Sequence, residues 1–257
     1  MRRDNGKSAR PGSSTSRDSW AASFVRRPSN KGLRMKIGII GAGNIGGALT
    51  RRLTSLGHKV SVANSRRPET LSELASETGA TVATAQDAVR DAELVIVTIP
   101  LKNVPQLEPG LLGTRADGAP VIDTNNYYPQ QRDGRIDAIE NGTTESRWVA
   151  DHLGVPVIKA FNNIYAEHLL TRGRPRGQER IGLPVAGDDE AAKRKVMDLV
   201  DELGFDPVDA GSLDESWRQQ PDTPCYGTDL PAERLSQALA QSSPERPAAH
   251  TSVERGG

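Results

Sequence analysis

Met35-Lys36-Ile37-Gly38-Ile39-Ile40-Gly41-Ala42-Gly43-Asn44-Ile45-Gly46-Gly47 is the stretch whose reading decides the fold. An apolar run ends in a glycine turn. The turn opens a segment in which Ile45, Leu49, Leu53 and Leu56 recur at helical spacing. A second strand candidate follows at Lys59 to Ala63, which completes a βαβ unit. Gly41, Gly43 and Gly46 stand on G-x-G-x-x-G spacing, a pattern that by itself is common in ordinary loops. Between a strand and a helix each glycine has a physical task. Gly41 permits the tight turn, Gly43 lets the backbone approach a pyrophosphate, and Gly46 lets the helix pack closely on the strand. Asn44 and Ile45 begin that helix, whose unpaired N–H groups and partial positive charge suit a phosphate.

Outward from this unit, apolar runs alternate with helical segments. Strands are expected at Thr81 to Ala83, Leu94 to Ile99, Pro120 to Asp123 and Val155 to Phe161, with crossovers between them. The crossover after Pro100 contains Pro105 and Pro109 and is expected to be irregular. Such alternation predicts an α/β, Rossmann-type doubly wound, mainly parallel sheet covered on both faces. A small α/β C-terminal extension follows. A helix starts near Tyr165, a strand is expected at Ile181 to Gly187, a helix is capped by Asp188 or Asp189, and a last short strand covers Asp206 to Asp209. The organisation read from this is 1–34 a disordered basic leader, 35–163 the dinucleotide-binding domain, 164–240 the extension packed on it, and 241–257 a disordered tail.

The 257 residues carry 33 Lys and Arg against 33 Asp and Glu, so no global charge points to nucleic acid or an anionic membrane. The distribution is uneven: residues 1–34 hold nine basic and two acidic side chains, a net of +7, leaving −7 for the rest. Met35 precedes the first strand directly, so the leader reads as an upstream extension without a secretory apolar core. Aromatic residues make up 4%, which disfavours a base-stacking platform, and the longest apolar runs are too short to span a bilayer. A single cysteine, Cys225, suits a reducing cytoplasm and reads as a packed or surface thiol. His58, His152, His168 and His250 show no metal-ligand spacing, so no metal site is expected.

Four positions carry candidate chemistry. After the second strand, where NAD-selective proteins place a carboxylate, the chain has Asn64-Ser65-Arg66-Arg67. A hydroxyl and two guanidiniums can hold a 2′-phosphate, so the cofactor reads as NADP(H). Thr98-Ile99-Pro100 ends the fourth strand at the switch point where ligands of open α/β sheets lie. Asp123-Thr124-Asn125-Asn126-Tyr127-Tyr128-Pro129 and Lys159-Ala160-Phe161-Asn162-Asn163 sit one strand apart at the same carboxyl edge. Either asparagine pair alone matches an ordinary turn, whereas two pairs at one edge read as a site. Lys159 could polarise a carbonyl or pair with a carboxylate.

From Met35 to about Ala240 the chain resembles the NADP-dependent oxidoreductases built around the deazaflavin coenzyme (coenzyme F-420) reductases. The resemblance is carried by KIGIIGAGNIGGAL, VANSRRPETL, VIVTIPLKNV, VIDTNNYYP, VIKAFNNIYAEHL and LPVAGDDEAAKRKVMDLVDELGFDPVDAG. Its N-terminal module is also similar to that of pyrroline-5-carboxylate reductases and of membrane ferric reductases. The resemblance implies a homodimer that passes hydride between NADPH and a deazaflavin or flavin, a small-molecule acceptor. It implies that Gly41, Gly43, Asn44 and Ile45 hold the pyrophosphate, and Ser65 with Arg66 the 2′-phosphate. Thr98 to Pro100 and Asn125 would then lie along the nicotinamide ribose, with Asn126, Phe161 and Asn162 facing the acceptor. Two other readings stay open: a reductase of a small imine or carbonyl, whose relatives usually append a long all-helical domain, and a non-catalytic NADP(H) sensor.

Overall fold

The computed structural model describes residues 34–65 and 68–246. The leader up to residue 33, Arg66, Arg67 and His250 lie outside the described residues.

Strands β1 (Lys36–Ile40), β2 (Lys59–Ala63), β3 (Thr81–Val82), β4 (Leu94–Val97), β5 (Val121–Asp123) and β6 (Ile158–Lys159) form one all-parallel sheet in the order β3-β2-β1-β4-β5-β6. The pleat sends alternate side chains to opposite faces, and both faces are buried. Ile37, Ile39, Leu94, Ile96, Ile122 and Ile158 enter one core, together with Leu49 and Leu53 of α1 (Asn44–Ser55). Ile40, Val95, Val97 and Val121 enter the other, under Trp148 and Val149. Those two lie on α5 (Glu145–Leu153), which is capped by Thr144. The helices α2 (Ser72–Thr78), α3 (Ala85–Val89) and α4 (Asp137–Glu140) are short. In the proline-bearing crossover two 3-10 turns, Leu101–Gln106 and Leu111–Thr114, replace a regular helix.

The C-terminal part is a second parallel pair, β7 (Gly182–Val185) and β8 (Asp206–Asp209), joined by α7 (Glu190–Glu202). Asp189 caps α7 by accepting from the N–H groups of Ala191 and Ala192. Lys159 of β6 exchanges two backbone hydrogen bonds with Ala186 in an antiparallel bridge, so this pair extends the main sheet at its β6 edge. The buried face of α7, with Val196, Leu199 and Val200, and Leu203 at its C-terminal cap belong to the same core as β1 and α1. α6 (Ala166–Thr171) packs against α1.

Three expectations change. The strand expected over Val155 to Phe161 is only two residues long, Ile158–Lys159, and Phe161 just beyond it turns left-handed at φ 61°. Residues 213–240, unread in the sequence, hold a 3-10 segment, Leu213–Gln219, and a helix, α8 (Ala232–Ala240). The tail expected to be disordered from residue 241 is instead held as far as Arg246. The Ser242 hydroxyl donates to the Arg218 carbonyl at 3.0 Å, and the Arg246 guanidinium meets Glu145 at 3.1 Å and Gln220 at 2.8 Å.

Candidate active site

The glycine turn separates what the fold needs from what a ligand needs. Gly41 has φ 112°, and a Cβ there would lie 2.1 Å from the Thr98 carbonyl oxygen. A Cβ at Gly46 would lie 2.0 Å from the Gly41 oxygen and 2.8 Å from Thr98 Cγ2. Both glycines are demanded by the packing of β1, α1 and the end of β4. Gly43 is different: its φ is −73° and a Cβ would meet nothing within 4 Å. It caps α1 without a side-chain acceptor, so the first-turn N–H groups stay available to an outside group.

In front of this turn lies a cleft of about 390 Å³. Gly41 to Gly43, Asn64, Ser65 and Thr98 to Pro100 line it, with Asn103, Gln106 and Leu107 opposite, and no carboxylate is among these residues. The cleft opens where the strand order reverses between β1 and β4, as in other doubly wound sheets. Ser65 is exposed, and the Asn64 amide donates to the Thr70 hydroxyl at 3.0 Å. Thus Gly41, Gly43, Asn64, Ser65, Thr98, Ile99 and Pro100 share one cleft, with Asn44, Ile45 and Gly46 in the first turn of α1 behind it.

The loops after β5 and β6 form a second cluster. Asp123 accepts from the Asn125 N–H at 2.9 Å and from the Ser146 hydroxyl at 2.6 Å. The Lys159 ammonium, only 1% exposed, lies 3.4 Å from Asp123 and 3.6 Å from Glu145, and it donates to the Asn125 carbonyl. Lys159 therefore braces the Asn125 loop from beneath. Phe161 is likewise withdrawn into the core. Asn126 and Asn162, expected to present amides to an acceptor, bond to each other at 3.0 Å. Asn162 also donates to the Gln219 carbonyl at 2.7 Å and accepts from the Gln219 amide at 3.0 Å. Asn126 also donates to the Asn162 carbonyl at 2.9 Å and to the Tyr226 hydroxyl at 3.2 Å. Those two amides are consumed inside the protein.

Sequence reasoning missed Glu145, Gln219 and Tyr226, which reach this edge from distant segments. The Tyr128 and Tyr226 hydroxyls share a hydrogen bond. Burial raises both phenol pKa values above the ordinary tyrosine value, so the pair stays neutral and protonated. Cys225 is buried with its thiol pushed up by desolvation, a packed side chain. Among the described residues no cluster of His, Cys, Asp or Glu could hold a metal ion. No described helix is long and apolar enough to cross a membrane.

The model of a family described as NADP oxidoreductase, coenzyme F420-dependent, matches residues 36–127. A solved structure of a hypothetical protein, SMa0349, from Sinorhizobium meliloti is 30% identical. That match covers 77% of this chain and 95% of the other, with a TM-score of 0.66. Residues 36–127 thus match the coenzyme F420-dependent NADP oxidoreductase family, and the chain as a whole is a relative of the Sinorhizobium meliloti protein. A structure from Arthrobacter sp. FB24, provisionally described as an F420-dependent NADP-reductase, is 24% identical. It covers 69% of this chain and 85% of its own, with a TM-score of 0.57, a likeness of fold. Metalloreductase STEAP3 of Rattus norvegicus is 29% identical over 179 residues, 69% of this chain and 34% of that protein. The chain spans less than half the length of the curated relatives it matches. The family match over residues 36–127 supports NADP(H) as the cofactor of this Rossmann-type fold.

Proposed function

We propose that this protein transfers hydride between NADPH and a deazaflavin or flavin-type acceptor. One observation carries the reading: the carboxylate-free cleft runs from an open Gly43 to Asn64 and Ser65. A pyrophosphate fits against Gly43 because no side chain fills that space, and the first-turn N–H groups of α1 face it. The Ser65 hydroxyl, followed in sequence by Arg66 and Arg67, suits a 2′-phosphate, and no acidic cleft residue repels it. Thr98 to Pro100 border the same cleft, and Asn125 stands at the neighbouring strand end.

Bound NADPH supplies the hydride. The protein's own contribution is to orient two flat rings and exclude water, which needs little acid–base help. Neutral amides, glycines and apolar residues meet that need. The acceptor is read as a small molecule, with neither nucleic acid nor membrane as partner, and the protein as a cytoplasmic homodimer. Reduction of a small imine or carbonyl is less favoured, because the C-terminal part carries β7, α7 and β8 where an all-helical appendage would be expected. Purified protein mixed with NADPH and either deazaflavin or flavin is expected to consume both in equal amounts. If neither absorbance changes, the reading fails; tight NADPH binding without turnover would point to a sensor.

A further inference from the structure

One wall of the cofactor cleft has little of its own to hold it in place. Asn103, Gln106 and Leu107 line the cleft from the 3-10 turn Leu101–Gln106 and its C-terminal end. The hydrogen bonds of a 3-10 turn are poorer than those of an α-helix, and Pro105 inside this one donates none. Its N-cap is Pro100, whose side chain cannot accept a hydrogen bond. The first N–H groups of the turn therefore need an acceptor from elsewhere.

That acceptor is Asp133, 31 residues further along the chain. It ends a single helical turn, Pro129–Asp133, and its carboxylate is fully buried. Oδ1 accepts from the Lys102 N–H at 3.3 Å and from Arg132 Nε at 3.0 Å. Oδ2 accepts from the Tyr128 N–H at 2.8 Å and from Arg132 Nη2 at 2.9 Å. The same guanidinium donates to the Asn126 carbonyl. Burying a carboxylate is costly unless its lone pairs are filled, and here four donors fill them. Two of the four are backbone N–H groups of separate segments. One buried carboxylate thus ties the wall of the cofactor cleft to the loop after β5. That loop is itself anchored, since the Thr124 N–H donates to the Val97 carbonyl at 3.2 Å.

We propose that Asp133 is a positioning residue of the cofactor site: it caps the Leu101–Gln106 turn from across the fold and so fixes the wall against which NADPH lies. The assignment rests on the NADP(H) reading of that cleft given above. Asp133 is not among the residues lining the cleft and acts through the Lys102 N–H. A wall that must be ordered when the ligand arrives takes that ordering cost out of the binding energy, whereas a wall already fixed does not. The bond to the Tyr128 N–H holds the carboxylate in place on the side away from the wall.

The test compares Asp133→Asn and Asp133→Ala in the full chain, with Leu235→Ala as a control. Asparagine keeps the shape, but its –NH2 faces one of the two backbone N–H groups, so only one of them stays bonded. Leu235 is buried in the small separate core under α8, and its truncation lowers stability without touching the cleft. NADPH dissociation constants are read by fluorescence well below each melting temperature, so that only folded protein is compared. The kcat at saturating NADPH is read beside them with a deazaflavin as acceptor. The NADPH dissociation constant is expected to rise about tenfold in Asp133→Asn and further in Asp133→Ala, with kcat within about twofold of the parent. Leu235→Ala is expected to melt lower and to bind NADPH as the parent does. Should Asp133→Ala not fold, Asp133→Asn decides. NADPH binding within about twofold of the parent in the Asp133 variants would overturn the proposal. So would an equal loss in Leu235→Ala, which marks general loosening, or a lost kcat with unchanged NADPH binding, which places the effect in the Tyr128 loop. If the parent protein itself fails to bind NADPH, it is the reading of the cleft that falls.

Discussion

Replacing Gly43 and Gly46 by alanine, one at a time, separates ligand from fold with the smallest possible change. At Gly43 the added methyl meets no protein atom within 4 Å, and φ −73° is ordinary for alanine. The only cost to the fold is a poorer helix cap, about 0.5 kcal/mol. The same methyl occupies the space through which a pyrophosphate would approach the first-turn N–H groups. Loss of one charge-assisted hydrogen bond removes about 1.5–3 kcal/mol, or roughly 10- to 100-fold in NADPH affinity. At Gly46 the methyl would lie 2.0 Å from the Gly41 carbonyl oxygen, a backbone atom that no rotamer change can move aside. Overpacking of that kind costs about 1–3 kcal/mol and lowers the melting temperature by about 2–10 °C in a chain of this size. Fluorescence titration with NADPH and thermal melts read the two effects. Gly43→Ala binding NADPH as tightly as the parent would refute the phosphate-approach argument. Gly46→Ala melting with the parent would refute the packing argument.

Other outcomes follow from the same geometry. Ser65→Asp places a carboxylate beside the proposed 2′-phosphate, so NADPH affinity should fall at least tenfold while NADH affinity holds or improves; equal losses contradict the assignment. Lys159→Met leaves Asp123 buried without its cation and Glu145 with Arg246 alone, and denaturant unfolding should show a loss of about 3–5 kcal/mol. A stable variant with a raised acceptor KM would show instead that Lys159 touches substrate. Burial and the Glu140 hydrogen bond push the Tyr127 phenol up to about 12. A group whose pKa is raised on folding contributes stability that is present below its unfolded value, about 10, and lost as pH rises through the folded value. Stability should therefore decline between about pH 10 and pH 12, and Tyr127→Phe should flatten that decline in denaturant melts.

The sheet was legible in the sequence because each of its longer strands is a continuous apolar run between turn residues, and two-sided burial produces such runs. The glycine turn was legible for the same local reason, since Gly41 and Gly46 answer contacts with the residues of their own βαβ unit and the end of β4. The loop cluster was not. Residue type and order gave two asparagine pairs at one edge, and the family resemblance turned Asn126 and Asn162 toward the acceptor, yet their partners include Gln219 and Tyr226, which approach from segments with no local link to them. Lys159 was read at a strand end, and its pairing with Glu145 depends on how α5 crosses the sheet. Residues 213–240 escaped because their apolar positions, such as Leu235 and Leu239, are few and cover a small separate core.

Direct hydride transfer is tested most plainly by isotope. NADPH carrying deuterium at the transferable C4 position is mixed with the protein and an oxidised deazaflavin, whose acceptor atom is a carbon that does not exchange with water. Direct transfer puts the deuterium on the reduced deazaflavin ring in proportion to the NADP+ formed. Deuterium lost to solvent, or NADPH consumed with an unlabelled deazaflavin, would contradict it.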